Sequence, residues 1–114
     1  MSNNKNKISA LCEYLKKNHT GRENAASSKT LEAIFNSKGS EIRKCINALR
    51  CDGFPVCSDT FGYYYAASPK EVDATIAQLD SRITKISDAR NGLLRAQKYS
   101  GFTPITIEIK MSVG

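Results

Sequence analysis

Apolar residues recur at intervals of three and four in the first half of the chain, the spacing that places them on one face of a helix. Three amphipathic helices are predicted from this pattern, and residues 1–6, which are polar and without periodicity, are predicted to be frayed. Gly21 follows the first helix, and Ser27 or Ser28 is expected to cap the second. The apolar positions are Ile8, Leu11, Cys12 and Leu15, then Leu31, Ile34 and Phe35, then Ile42, Cys45, Ile46 and Leu49.

The third helix is predicted to have a basic outer side. Ser37 or Ser40 is expected to cap it, and Cys51-Asp52-Gly53 to end it, because glycine readily adopts the left-handed conformation that closes a helix. Residues 38–50 contain four basic residues and one acidic residue, a local charge of +3. The positions left outside the apolar stripe are Glu41, Arg43, Lys44, Asn47 and Arg50.

A β-hairpin is predicted next, with strands at 55–58 and 63–67 and a turn over Asp59-Thr60-Phe61-Gly62. Tyrosine favours strands, and Gly62 can supply the positive φ that a tight turn often requires. The run Tyr63-Tyr64-Tyr65 has two interpretations. It is either a platform on which single-stranded bases stack or, as we prefer, a strand that buries one or two rings and leaves one outside.

A longer helix is predicted from its starting residues, in which Ser68 is the cap, Pro69 lies in the first turn and Glu71 takes the capping-box position. Its apolar residues form a heptad seam in which Arg90 takes one position. The seam indicates either a homodimer, which we prefer, or a helix folded back on the first. Because a buried unpaired charge costs several kcal/mol, Arg90 disfavours a long parallel coil. The seam residues are Val72, Ile76, Leu79, Ile83, Ile86 and Leu93.

The end of the chain and the domain organisation complete the outline. Ile105, Ile107 and Ile109 alternate with polar residues, which predicts a strand that needs a sheet edge. We expect a domain of three helices and a hairpin at 1–67, a helical dimerisation segment at 68–98 and a C-terminal tail or strand at 99–114.

Composition limits the partners and the location. The 114 residues suit one domain, and 17 Lys and Arg against 11 Asp and Glu give a net charge of +6, which suits a polyanionic partner. No segment approaches the roughly 20 apolar residues that span a bilayer, and the start lacks the apolar core of a secretory signal. We expect a cytoplasmic protein with no membrane partner.

Catalytic and metal-binding patterns are weak. The four cysteines form no Cys-x-x-Cys pair, and reduced thiols are expected in a cytosolic protein, with a Cys51–Cys57 disulfide as the alternative. His19 is the only histidine, and its neighbour Glu23 is more typical of a loop ion pair than of an acid–base couple. The sequence contains no glycine-rich phosphate loop. We expect no enzymatic activity, no metal and no cofactor.

The run from Leu49 to Asp59, followed by Gly62-Tyr63-Tyr64, resembles the bacterial winged helix-turn-helix DNA-binding domain. In that pattern a helix ending in Leu-Arg is followed by glycine, a strand and a Gly-Tyr pair. The resemblance implies an α+β, mostly α fold, a winged helix-turn-helix with three helices and a β-hairpin wing. An additional long C-terminal helix and a short terminal strand would follow. The whole chain also resembles small phage and prophage proteins of Gram-positive bacteria.

The resemblance implies a DNA-binding face on the third helix. Arg43 would bind guanine O6 and N7 and Asn47 adenine N6 and N7, whereas Lys38 and Lys44 would contact phosphates. The expected function is sequence-specific binding of double-stranded DNA by a homodimer, as a phage or prophage regulator of transcription or replication. The DNA-binding residues would be Lys38, Ser40, Arg43, Lys44, Asn47 and Arg50.

One departure from the winged-helix pattern supports an alternative. The predicted wing tip carries Asp59 and no lysine or arginine, whereas a wing that follows a phosphate backbone would carry a basic residue. The alternative is a protein-binding module, or an inhibitor of host nucleic-acid machinery such as an anti-defence protein, built on the same scaffold. The tyrosine run and the 105–109 strand also suit a host or phage protein as the partner.

Overall fold

The computed structural model describes residues 2–100, with side chains described from residue 5 to residue 98. Within this range the protein is α+β and mostly helical, as predicted. The predicted strand at 105–109 lies outside the described residues. The elements are α1 (Ser2–Asn18), a 3₁₀ turn (Arg22–Asn24), α2 (Ser28–Phe35), α3 (Gly39–Cys51), β1 (Val56–Asp59), β2 (Gly62–Tyr65) and α4 (Pro69–Ser100).

The chain divides into two compact units within α4. The first unit, Met1–Ala77, contains the elements from α1 to β2 and the beginning of α4. The second unit, Gln78–Gly114, contains the remainder of α4. The predicted boundaries after residues 67 and 98 separate segments of different expected function, and they stay a prediction.

The helix α1 begins before the apolar stripe. Residues 1–6 are polar and predicted to be frayed, and α1 extends from Ser2 to Asn18. The sequence between these two residues contains no glycine or proline, so nothing in it opposes continuation of the helix beyond the apolar stripe. Lys16 and Lys17 occupy the last turn, where positive charge favours the carbonyl end of a helix.

Local side-chain chemistry sets the ends of α2. Ser27 lies in extended backbone, and its Oγ accepts a hydrogen bond from the Thr30 N–H at 3.1 Å, which confirms one of the two predicted caps. The helix ends at Phe35, and Asn36 follows in the left-handed conformation, with φ of 47°. Asparagine tolerates this conformation better than most residues, so the short segment 36–38 can turn sharply into α3.

The core of the first unit lies where the apolar sides of α1, α2 and α3 meet one side of the hairpin. The predicted stripes are confirmed apart from Ile34, which is exposed. The buried side of α2 contains Leu31, with Phe35 one turn later, and Ile34 is rotated about 100° from Phe35 around the helix. The core residues are Leu11, Cys12, Leu15, Ala26, Leu31, Ile42, Cys45, Ile46, Leu49 and Val56.

The hairpin is packed on both of its faces. β1 and β2 pair antiparallel, with Val56 opposite Tyr65 and Cys57 opposite Tyr64, across a turn at residues 60–61. Tyr64 and Cys57 are buried on one face. Tyr63 and Tyr65 are half-buried and pack against the core on the other. The prediction of buried tyrosine is therefore confirmed for Tyr64, and no ring of the run is fully outside.

The outer edge of β2 pairs with the chain between α1 and α2. Tyr63 and Ala26 exchange two backbone hydrogen bonds, each of 2.8 Å. Tyr65 donates its N–H to the His19 carbonyl and accepts from the Gly21 N–H, again at 2.8 Å. Because unpaired backbone groups on a strand edge are costly when removed from water, this pairing holds the hairpin against the 19–26 segment.

The outer edge of β1 is completed by side chains. Arg50 Nε donates to the Val56 carbonyl at 2.7 Å. Thr75, buried on the first turns of α4, accepts from the Ser58 N–H at 3.3 Å and lies 3.5 Å from the Ser58 carbonyl. Two side chains from different helices thus replace the missing neighbouring strand.

The start of α4 follows the sequence signals in part. The helix begins at Pro69 after Ser68, as predicted. The carboxylate of Glu71, however, accepts from the Ala67 N–H at 2.7 Å and from the Arg22 N–H at 3.0 Å. The acceptor bonds of Glu71 are thus to Ala67 and Arg22 and not to the N–H of the predicted cap Ser68, and they join the beginning of α4 to the 3₁₀ turn.

Gly62→Ala is expected to destabilise the first unit strongly. Gly62 has φ of 139°, and an added Cβ would lie 2.1 Å from the Ala26 carbonyl oxygen. Backbone strain and steric overlap together should lower the free energy of unfolding by about 3 kcal/mol or more, measured by urea denaturation.

Gly53→Ala is the control, because Gly53 also has positive φ, at 91°, but a Cβ added there has no atom within 4 Å. It should cost about 1–2 kcal/mol, and equal destabilisation by the two variants would contradict the close approach.

Candidate nucleic-acid interface

α3 begins differently from the prediction. Lys38, in extended backbone, takes the N-cap position, so neither Ser37 nor Ser40 caps the helix. Glu41 Oε1 accepts from the Lys38 N–H at 3.0 Å, and an acidic residue in the first turn favours the amino end of the helix dipole. The predicted stop is confirmed, since the helix ends at Cys51 and Gly53 adopts positive φ.

One side of α3 is exposed and basic. Ser40, Arg43, Lys44 and Asn47 follow one another at intervals of three, one and three, which places them on one side of the helix, and all four are exposed. Lys38 is exposed at the N-cap. We refer to these five residues as the α3 face. The structure thus brings together five of the six residues predicted to contact DNA.

Arg50, the sixth, is directed to the hairpin. Its Nε donates to the Val56 carbonyl at 2.7 Å and its Nη2 donates to Ser58 Oγ at 3.1 Å. The side chain is half-buried. Helical periodicity predicted Arg50 on the outer side with the other DNA-binding residues, and only the path of β1 reveals these acceptors.

An acidic residue that sequence reasoning missed lies near the start of the α3 face. A Cβ added to Gly39 would be 3.0 Å from Glu32 Oε2 and 3.6 Å from Arg43 Nη1, so the carboxylate and the guanidinium both flank this glycine. Glu32 is half-buried on α2 and accepts from Ser28 Oγ at 2.8 Å. It places a negative charge near the start of the α3 face.

A lysine from α1 also reaches the turn before α3. Lys7 Nζ donates to Ser37 Oγ at 2.7 Å, and Ser37 Oγ donates to the Phe35 carbonyl at 2.9 Å. This contact joins α1 to the segment 36–38 and adds a positive charge beside Lys38. The sequence offered no signal for it, because residues 7 and 37 are brought together only by the packing of the helices.

The acidic hairpin tip has an internal partner. Asp59 Oδ2 lies 2.5 Å from Arg22 Nε, and Asp59 Oδ1 accepts from the Phe61 N–H at 2.8 Å. Arg22 is 62% exposed. Burial opposes ionisation of Asp59, but the hydrogen bonds from Arg22 and Phe61 outweigh it and lower the pKa of this carboxyl. Phe61, 69% exposed, is the large apolar side chain at the tip.

The single histidine has structural partners. His19 Nδ1 donates to the Asn24 carbonyl at 2.7 Å, and Nε2 lies 3.2 Å from the Tyr14 hydroxyl. The ring of Tyr14 also contacts His19, with 5.1 Å between ring centres. The predicted Glu23 neighbour is not among these partners. The histidine therefore joins α1 to the following loop.

The cysteines are free thiols. Cys12, Cys45 and Cys57 are buried and Cys51 is exposed. Burial raises the pKa of the three buried thiols, which favours the protonated and less reactive form. Within residues 2–100 no group of three or more His, Cys, Asp or Glu side chains could hold a metal ion.

The residues predicted to form a dimer seam all lie on α4. Val72 and Leu79 are half-buried. Ile76, Ile83, Ile86 and Leu93 are 48%, 63%, 69% and 72% exposed. An apolar stripe of this kind is unusual on a helix surrounded by water.

Comparisons with known proteins give no identification. No known protein family, curated protein or solved structure matches this chain. In the part of the chain that the structure describes, no helix has both the length and the apolar character needed to cross a membrane.

Arg50→Ala is expected to reduce stability. The substitution removes the donors to the Val56 carbonyl and Ser58 Oγ, so the free energy of unfolding should fall by about 1–3 kcal/mol. Arg43→Ala, on the exposed side of the same helix, should change it by about 0.5 kcal/mol or less. Urea denaturation of both variants measures the difference. Equal stabilities would show that Arg50 does not hold β1.

The Asp59 carboxylate is expected to stabilise the protein only above acidic pH. Its pKa is lowered in the folded state, so its stabilisation is complete above the unfolded pKa of about 4 and disappears as pH falls through the folded value. Asp59→Asn should therefore be less stable than the parent at pH 7, and the gap should narrow below pH 4 or so. Urea midpoints across this range test it, and a constant gap would contradict the prediction.

Proposed function

We propose that the first unit is a winged helix-turn-helix domain that binds double-stranded DNA through the α3 face. The order of three helices followed by a hairpin is compatible with this layout. The observation that supports binding most directly is the α3 face itself, with Lys38, Arg43 and Lys44 exposed on the side opposite the buried stripe. A helix of this kind can enter the major groove while its apolar side stays in the core.

Each residue of the α3 face has a role that follows from its donors and acceptors. The forked guanidinium of Arg43 can donate to guanine O6 and N7, and the amide of Asn47 can pair with adenine N6 and N7. Lys38 and Lys44 carry single charges suited to phosphates, which position the helix without reading sequence. The hydroxyl of Ser40 can donate a hydrogen bond to a base edge or to a phosphate. Arg50 has no place in this set, because it supports the hairpin.

The hairpin is less unfavourable to DNA than its sequence indicates. Asp59 alone would repel phosphates, but the Arg22 guanidinium is 2.5 Å from its carboxylate, so the pair has no net charge. Arg22 is also exposed, which leaves part of its guanidinium accessible to a polyanion. The hairpin can then lie beside the groove without electrostatic opposition.

The biological role that we propose is regulation of transcription or replication by a phage or prophage protein. This role rests on the resemblance of the chain to small proteins of that source. Sequence-specific binding fits it, since Arg43 and Asn47 offer side chains that can distinguish bases.

A second candidate function is a protein-binding module. Phe61 is 69% exposed at the hairpin tip, and Phe54, just before β1, is also exposed. Exposed aromatic side chains are typical of residues that anchor protein interfaces. In this alternative the hairpin, and not α3, would contact the partner.

Arg43→Ala/Lys44→Ala is expected to weaken DNA binding roughly ten- to hundredfold. The affinity is measured by fluorescence anisotropy on mixed-sequence duplex DNA at low salt. The slope of log affinity against log salt should also become shallower, by about 0.9 for each phosphate that the variant no longer neutralises. Lys17→Ala/Lys70→Ala is the matched control, because it removes the same charge from exposed positions on α1 and α4 and should retain most of the affinity.

Two results would overturn DNA binding by the α3 face. One is a parent protein that does not bind duplex DNA at low salt, and the other is equal weakening by the two double variants. In the first case, a protein captured from nuclease-treated host lysate by the parent but not by Phe61→Ala would support the protein-binding alternative.

A further inference from the structure

The exposed seam residues of α4 lie along one line of the helix, and Leu94, also exposed, lies beside that line. Ile76, Ile83, Ile86 and Leu93 are about half to three-quarters exposed, and their spacing of seven, three and seven keeps them on one side. The helix is continuous from Pro69 to Ser100. Any partner for this stripe must therefore be apolar along a comparable length.

The stripe is symmetric about its own centre. Its spacing of seven, three and seven reads the same in both directions along the helix, with the midpoint between Thr84 and Lys85. The two seam positions missing from the exposed set are Leu79, which is half-buried, and Arg90, which is charged. These two positions are also related by the same midpoint. A surface with this symmetry is complementary to a second copy of itself that runs in the opposite direction.

We propose that α4 pairs antiparallel with α4 of a second copy of this chain, in one particular register. Ile76 lies opposite the partner's Leu93, and Ile83 lies opposite the partner's Ile86. All four exposed seam residues are then covered by one another. The two-fold axis passes between Thr84 and Lys85.

The charge in the seam favours this arrangement over a parallel pair. In the antiparallel register Arg90 lies opposite the partner's Leu79, and the two copies of Arg90 are in separate layers. The partner's Arg82 lies at the edge of the seam on the same side, and both long side chains can extend into water. A parallel pair would instead place Arg90 directly against the partner's Arg90, two like charges in one layer of the interface.

Other antiparallel registers cover the stripe less well. A shift of one heptad in one direction sets Ile76 against the partner's Ser100. A shift in the other direction sets Leu93 against the partner's Pro69. Among these three registers, only the proposed one pairs all four exposed seam residues with one another.

This inference goes beyond DNA binding and does not rest on it. An antiparallel dimer would form whether or not the α3 face binds DNA, since the α3 face and the α4 seam contain different residues.

Cysteine cross-linking of the full chain tests the orientation. Ile76→Cys and Leu93→Cys are made separately in a Cys51→Ser background, which removes the exposed native thiol. On mild oxidation, the mixture of the two variants should form a disulfide-linked dimer at least roughly tenfold faster than either variant alone. Faster cross-linking of each variant with itself would overturn the proposal in favour of a parallel pair. A parent chain that sediments as a monomer at micromolar concentrations would also overturn it.

The same cross-linking tests the register when Ile83→Cys and Ile86→Cys are added to the set. The mixture of these two variants should also cross-link rapidly, since they are opposite one another in the proposed dimer. The matched controls use the same four variants in the other combinations, Ile76→Cys with Ile86→Cys and Ile83→Cys with Leu93→Cys, which are opposite only after a shift of one heptad. Faster cross-linking in either control mixture would overturn the register.

Discussion

The pairing of β2 with the chain between α1 and α2 is the constraint on which the first unit depends. Tyr63 and Ala26 exchange two hydrogen bonds, and the two residues are far apart in sequence. Satisfying this strand edge brings Gly62 so close to Ala26 that no side chain fits. It also places Tyr63 and Tyr65 against the core. The position of the hairpin is therefore determined by a long-range backbone pairing as much as by its own turn.

The orientation of α3 follows from the same packing. Its buried stripe meets α1 and α2, and Arg50 at its end binds the backbone of β1. With these contacts made, the opposite side of the helix is left in water. That side contains Arg43, Lys44 and Asn47. The polar residues of α3 that make no structural contact with the hairpin or the core are therefore the ones exposed at the surface.

Much of this fold could be predicted from local patterns. The apolar stripes, the Ser27 cap, the Gly53 stop and the Pro69 start are each set by residues within about one helical turn, so the sequence displays them directly.

The cap of α3 could not be predicted in this way. Two serines flank its beginning, but the backbone leaves Lys38 at the cap and Glu41 supplies the hydrogen bond. Other features depend on residues distant in sequence, since Arg22 and Asp59 are 37 positions apart and no periodicity or motif connects them. The α3 face could be predicted because apolar periodicity shows which side of a helix is exposed. The groups that surround this face are brought there only by tertiary packing.

The arginines show why net charge is a poor guide to function in this protein. The chain has a charge of +6, but Arg22 lies against a carboxylate and Arg50 against a carbonyl and a hydroxyl. Both hold the hairpin in place. Arg43 is exposed. It lies near the Glu32 carboxylate, but among the described residues the ion pair within 4.0 Å is Arg22–Asp59. The contribution of an arginine to a basic surface therefore depends on what lies beside it, and the net charge alone does not locate such a surface.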